Sequence, residues 1–319
     1  MKDVADKANV SVMTVSRVIN NPEKVKEVTR KKVLQVMEEL AFKQNVAAKA
    51  LAKNQTRTIH IFIQSVLSTQ DPYLMALLAG ISDVLSAAYY SFLIRREWNV
   101  PYKCDGIIAL PSSQQDIKKL KASIDEPIIV FGKTKVSVDW VDFDHYRGTY
   151  LMTKFMLEKG HKNLGFLGIE TEEDFALERL NGFKDALKEN NLILNRTNIK
   201  MVATHTERSG YESALELLQQ NAITGLVCSS DVLALGALTA AKSIGKVVPD
   251  DFSIGGFDGV FLDQMADPPL TTIEQPVHAI GQELARSLLI RIQHPELPLM
   301  EKVISPKLII RKTVADIKP

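Results

Sequence analysis

Met13, Ser16, Arg17 and Asn20 fall at i, i+3, i+4 and i+7 of the string VMTVSRVIN, so a helix over that string presents all four on one face. Val15, Val18 and Ile19 then point the other way, as core. A thioether, a hydroxyl, a guanidinium and an amide on one exposed face are groups that meet base edges when a helix lies in the major groove of DNA. Core packing is the competing reading for Met13 and for its neighbour Val12.

Other strings that hint at chemistry come to less. Gly132-Lys133-Thr134 follows an apolar run, but the first glycine of a phosphate-binding loop would fall on Pro127. GGFDG at 255–259 lacks the G-x-G-x-x-G spacing, and neither G-x-S-x-G nor H-E-x-x-H occurs. No Cys/His group has metal-ligand spacing. The expectation is a protein that is not an enzyme and uses no metal or cofactor.

The elements that must position the four-residue face are short helices. One is expected over about Asp3–Asn9, with Val4, Ala5 and Ala8 on its apolar side. The second follows Ser11, a good N-cap, and stops at Asn20-Asn21-Pro22, because proline cannot continue a helix. A third spans about Glu27 to Leu40, with Val33, Val36, Met37 and Leu40 at helical spacing. Residues 45–53 (NVAAKALAK) form an Ala-rich segment too short for a stable isolated helix. From Arg57 onward the pattern changes. Apolar runs at 59–63, 91–94, 106–110, 127–131, 164–169, 199–203, 224–229 and 252–257 alternate with amphipathic stretches, the signature of parallel sheets covered on both faces. Two doubly wound α/β lobes are expected, with an eight-stranded barrel as the competitor. The domains are therefore read as 1–43, a hinge at 44–57, and a two-lobed body at 58–319.

Charge supports this division. Residues 1–57 carry 12 Lys+Arg and 6 Asp+Glu, a net of +6; the remainder carries 27 and 32, a net of −5. A basic head on an acidic body points to a polyanion partner for the head. The composition, with 45% hydrophobic and 24% charged residues, is that of a globular protein. The two cysteines sit in apolar runs, no apolar stretch is long enough for a membrane span, and MKDVADKA has no signal-peptide character. A cytoplasmic protein is expected.

The string DVA-x-x-A-x-VS-x-x-TVSRV-x-N, followed by TR-x-KV, EEL and N-x-x-A-x-x-L, closely resembles the lactose-repressor (LacI/GalR-type) family. The likeness runs on through KGHKNLGFLG, LERLNGF, SSDVLALGAL, VPDDFSIGGFD, PPLTTIEQP and LIIRKT, nearly the whole chain. It implies a sequence-specific transcription regulator, most simply a repressor, with a periplasmic-binding-protein-like body. The partners implied are a pseudopalindromic double-stranded DNA operator, a second copy of the chain, and a small-molecule effector of carbohydrate type between the lobes. Carried over by position, Val12 and Met13 fall on base contacts, Arg17 on a base or phosphate contact, Thr14 and Ser16 on phosphate or backbone contacts, and Leu51 on a minor-groove wedge with Ala48 the small residue beside it. The effector positions map onto Tyr73, Asp144, Phe175, Arg179, His205, Ser230, Asp231, Asp258 and Gln275. Alternatives stay open for several: Leu51 as core, an Arg179–Asp258 structural bridge, Asp231 as a helix cap, Phe175 and Tyr73 as core, and His205 as a surface residue.

The chain also departs from the family pattern. It opens at Lys2-Asp3 without the usual threonine cap, Lys26 stands where a capping serine is usual, and Gln44 replaces a proline before Asn45. The link between SFLI and GIIAL is only about 11 residues, so this lobe is expected to lack a helix, with Trp98 and Tyr102 covering the sheet. No heptads follow Arg311-Lys312-Thr313, so no coiled-coil tetramer is expected. A sugar-transport protein and a sugar-processing enzyme are the competing classes, opposed by the DNA-reading head and by the lack of a paired catalytic constellation.

Overall fold

The computed structural model describes residues 1–40, 42, 55–63, 71–97, 103–110, 113–171 and 173–317. They fall into two compact units, 1–56 and 57–319. The hinge residues Ala48 and Leu51, and Trp98 and Tyr102, lie outside the described residues.

The first unit holds helices α1 (Lys2–Ala8), α2 (Val12–Asn20) and α3 (Glu27–Glu39). Its core is Val4, Ala5, Ala8, Val15, Val18, Val33 and Val36, all buried, with Ile19 and Met37 packed at the margin. Alanines at 5 and 8 leave room for a crossing helix. Asn9 ends α1 in the left-handed conformation at φ 51°, which asparagine tolerates better than most residues. Ser11 caps α2, its Oγ accepting the Thr14 N–H at 3.0 Å. Neither Met1 before α1 nor Lys26 before α3 supplies a side-chain cap. Leu40 falls just past α3 and is 39% exposed, so it does not join the core stripe expected of it.

The second unit contains two open six-stranded sheets, which excludes a barrel. The first orders as β11-β5-β4-β3-β1-β2 and the second as β12-β10-β9-β8-β6-β7. Their strands are β1 (Thr58–Ile63), β2 (Ser91–Arg95), β3 (Gly106–Leu110), β4 (Ile128–Phe131), β5 (Asp139–Phe143), β6 (Leu164–Ile169), β7 (Ile199–Val202), β8 (Gly225–Cys228), β9 (Ser253–Asp258), β10 (Thr271–Glu274), β11 (Glu301–Ile304) and β12 (Lys307–Ile309). Helices α4 (Pro72–Ala87), α5 (Gln114–Ser123) and α11 (Val277–Gln293) belong to the first lobe. Helices α6 (His145–Glu158), α7 (Asp174–Glu189), α8 (Glu207–Gln220), α9 (Asp231–Ser243) and the short α10 (Leu262–Met265) belong to the second. All pairings are parallel except β10 with β12, so the second sheet ends in an antiparallel edge.

Strands β5, β10, β11 and β12 escape the hydrophobic pattern. β5 reads DWVDF, and its buried Asp139 breaks the apolar run. That aspartate is matched by Arg291 of α11 through two bonds of 2.8 and 2.9 Å. The other three are short, and two are half-exposed edge strands. β2 and β3 are not neighbours: each flanks β1. The described residues of their short link are not helical. Leu93 and Ile94 on the edge strand β2 are 47% and 42% exposed.

Three segments cross between lobes, at β5–α6 (143–145), β10–α11 (274–277) and β11–β12 (304–307). Helices α4 and α11 meet backbone to backbone. A Cβ on Gly80 would stand 2.0 Å from the His278 carbonyl oxygen, and one on Gly281 would stand 2.2 Å from that of Leu77. Gly281→Ala is expected to destabilise the body by about 1–3 kcal/mol, the usual cost of overpacking a tight contact. A lowered urea midpoint followed by far-ultraviolet circular dichroism is the measurement, and an unchanged midpoint contradicts the packing described.

Candidate functional site

The first candidate surface is the outer face of α2. Met13 is 65% exposed and Val12 44% exposed, so neither serves as core. Arg17 is exposed and donates from Nη2 to the Met13 Sδ at 3.7 Å, which lays the guanidinium along the helix surface. Thr14 and Ser16 are half-buried, and the Thr14 hydroxyl is 2.9 Å from the Ser11 Oγ. The backbone of Asn20 closes α2, but its side chain lies outside the described atoms. The face thus presents the groups that groove reading requires, on a helix whose inner face is locked by Val15 and Val18. Around it, Arg30 and Lys31 approach Glu27 at 4.0 and 3.3 Å. Such exposed pairs are weak and yield readily to a polyanion.

The second candidate is a cleft of about 740 Å³ between the two lobes of the body. It lies at the carboxyl ends of the strands, where open α/β sheets bind ligands, and its size is that of a small-molecule site. Tyr73, Phe131, Phe175, Arg179, His205, Asp231, Asp258 and Gln275 line it, together with Lys133, Asp142, His145, Glu173 and Glu178.

Arg179 forms the floor. It is 5% exposed, with its guanidinium carbon 3.8 Å from the Phe257 ring centroid and 4.9 Å from that of Phe175. It donates to the Ser229 carbonyl and to His145 Nδ1, the latter at 3.1 Å from Nη2. Because arginine has no acceptor, His145 Nδ1 carries no proton. The neutral ring then bears its proton on Nε2, which stands 3.5 Å from Asp142 Oδ1. Burial and the Arg179 charge hold His145 below the ordinary histidine range. Burial pushes Asp142 up, but His145 and the N–H groups of Phe143 and Lys133 outweigh it and leave the carboxyl below its usual value.

A second chain of bonds crosses the lobes. Tyr73 on α4 donates to Gln275 Oε1 at 3.0 Å, and Gln275 Nε2 donates to Asp258 Oδ1 at 2.8 Å. Asp258 stands 3.8 Å from Arg179 and has φ 122°, a region non-glycine residues seldom occupy. Burial raises its carboxyl in spite of Arg179. Asp231 accepts from Thr272 Oγ1 at 2.6 Å and from the Gly259 N–H at 2.8 Å, and burial, with Asp258 nearby, raises it too. Ser230, not Asp231, caps α9, and its hydroxyl is 2.8 Å from His205 Nε2.

Seven of the nine expected effector positions therefore converge on one cleft. Asp144 and Ser230 are not among the lining residues: Asp144 caps α6 through the Arg147 N–H at 2.8 Å, and Ser230 stands behind His205. Asp142, His145, Glu173, Glu178 and Lys133 were not anticipated. The available signal was polar residues at strand ends just before helices: Asp142 and His145 bracket the β5–α6 junction, and Glu173 immediately precedes α7.

The first 45 residues match the model of the bacterial regulatory proteins of the lacI family, and 153–314 match a periplasmic binding protein-like domain. The HTH-type transcriptional regulator YvdE of Bacillus subtilis is 35% identical over 315 residues, covering 98% of each chain. The chain belongs to the lacI family. Among solved structures, the lac repressor dimer bound to operator and the anti-inducer ONPF superposes with a TM-score of 0.75, at 25% identity and 98% coverage of both chains. A lacI-family regulator from Enterococcus faecium with bound ribose superposes with a TM-score of 0.70, at 29% identity, over 82% of this chain and 100% of that one. This lacI-family chain is a DNA-binding transcription regulator, with a helix-turn-helix head and a periplasmic-binding-protein-like body. No helix among its described residues is long and apolar enough to cross a membrane.

Glu173 offers a test of the cleft's electrostatics. Burial pushes its carboxyl from 4.5 up to about 7, with Arg179 drawing it partly back. An unfolded chain releases this proton near 4.5 and the folded one near 7, so the folded state binds more protons across that window. Stability contributed by Glu173 falls as the pH rises through it. Glu173→Gln is expected to gain stability relative to the parent between pH 4.5 and 7. Parallel melting curves for the two proteins check this, and a constant difference contradicts it.

Proposed function

We propose that this regulator acts as a homodimer on a pseudopalindromic operator, and that a carbohydrate in the interlobe cleft changes its affinity for that operator. The observation that carries the reading is the cleft itself. Carboxylates, a guanidinium and aromatic rings from both lobes meet there, groups that bind hydroxyl pairs and the apolar face of a sugar ring. The bound ribose of the Enterococcus faecium relative and the operator and ONPF bound to the lac repressor lend support by analogy. In this reading Val12, Met13, Arg17 and Asn20 read bases, and Thr14 and Ser16 steady the helix on the backbone. Ala48 and Leu51 enter the minor groove. Tyr73, Phe175, Arg179, His205, Asp231, Asp258 and Gln275 hold the effector, with Asp144 and Ser230 in support. The regulator works in the cytoplasm and catalyses no reaction.

The effector can move the DNA equilibrium only by its own preference between two arrangements of the lobes. The Tyr73–Gln275–Asp258 chain and the Lys133–Glu178 pair at 3.4 Å join the lobes, so a ligand touching them has the means to express such a preference.

Gel-shift titration against a panel of operator variants tests the head. Met13→Ala is expected to lose about 1–3 kcal/mol of discrimination at one base position, the usual worth of a base contact, and an unchanged preference removes Met13 from the reading face. Arg179→Ala, checked for folding by its melting curve, is expected to retain specific operator binding but no longer to respond to sugar. A full response in that variant removes Arg179 from the effector site.

A further inference from the structure

Helix N-termini surround the cleft, because each strand ends there and a helix begins. Such termini offer unpaired N–H groups and the positive end of the helix dipole, which makes them natural anion sites. Here three of them already carry the chain's own carboxyl groups. Asp71 caps α4, with Oδ1 2.9 Å from the Tyr73 nitrogen. Glu173 and Asp174 open α7, and Asp231 opens α9.

The cations are committed as well. Among the described residues, seven Asp and Glu line the cleft against two Lys and Arg. Lys133 stands 3.4 Å from Glu178. Arg179 stands 3.8 Å from Asp258 and spends donors on Ser229 and His145. Among the described residues, a phosphate or carboxylate entering this space meets acidic groups and no Lys or Arg that lacks a carboxylate beside it.

We propose that the cleft selects against anions, so that its effector is an uncharged or amine-bearing polyol and not a sugar phosphate or sugar acid, with Glu173, Asp174 and Glu178 of α7 setting that preference. The inference rests on the reading of the cleft as a carbohydrate site and narrows the class it takes. The state of Glu173 agrees with it. Its carboxyl is already held up to about 7 by burial, and among the described residues no side-chain or backbone donor reaches it. An incoming anion drives it further toward the protonated form, whereas a hydroxyl or ammonium donor supplies what it lacks.

The test is isothermal titration of the full chain with matched probes: ribose and ribose 5-phosphate, glucose, glucosamine, glucose 6-phosphate and gluconate, maltose and cellobiose. Binding is expected among the neutral and amine-bearing probes, with any anionic counterpart weaker by about tenfold or more. In the triple variant Glu173→Gln, Asp174→Asn, Glu178→Gln, checked for folding by its melting curve, the gap between a bound sugar and its phosphate is expected to narrow by about threefold or more. A phosphate or acid that binds as tightly as its parent sugar, with binding lost in Arg179→Ala, overturns the inference while the carbohydrate reading of the cleft stands. A gap that the triple variant leaves unchanged overturns the role given to α7. If no probe in the set binds, the carbohydrate reading fails, and the inference fails with it.

Discussion

Burying a guanidinium is costly unless its charge is matched and its N–H groups are satisfied. Arg179 imposes that requirement on the cleft floor, and much of the surrounding geometry answers it. Phe175 and Phe257 flank the cation, the Ser229 carbonyl and His145 Nδ1 accept hydrogen bonds from its N–H groups, and Asp258 balances the charge. These partners come from different elements. Arg179 itself lies on α7, Ser229 follows β8, His145 begins α6, and Asp258 ends β9 in a strained conformation. Meeting the needs of one side chain therefore fixes the relative positions of four strand or helix ends. It also fixes the tautomer of His145, and through it the orientation of Asp142 at the crossing between lobes.

The same floor reaches into the first lobe. Phe143, the last residue of β5, meets Phe257 edge-on at 5.9 Å, and His145 stacks on that ring at 6.1 Å. Gln275 sits on a second crossing segment and holds both Tyr73 and Asp258. A ligand bound here touches residues on two of the three crossings at once. If those groups bind the ligand, as proposed, occupancy of the cleft and the angle between lobes are coupled without a separate relay, since the same groups stand at the pivots.

The head was legible in the sequence because its helices are short, amphipathic and punctuated by Ser11, Asn9 and Pro22. The body's class was legible because buried parallel strands are continuous apolar runs. What escaped was the set of strands that carry charge or lie at edges. β5 hides behind Asp139, whose charge is acceptable only because Arg291, 152 residues later, returns to pair with it. No local pattern announces such a partner. The site was legible for a related reason and to a related degree. Arg179 and Asp258 stand in strings that match the family pattern, while His145 and Glu173 become site residues only through the packing of α6 and α7. Asp144 and Ser230, expected at the effector site, also serve as helix caps.

The first lobe is not made from a continuous stretch of chain. Its sheet is completed by β11 and its helical layer by α11, both from residues beyond 276. During synthesis, then, Asp139 must wait for Arg291, and the outer edge of β5 for β11, until residues 277–304 have left the ribosome. A nascent chain of this design cannot finish its lobes one after the other; the lobe begun first is completed only after strands β6 to β10 of the second have emerged.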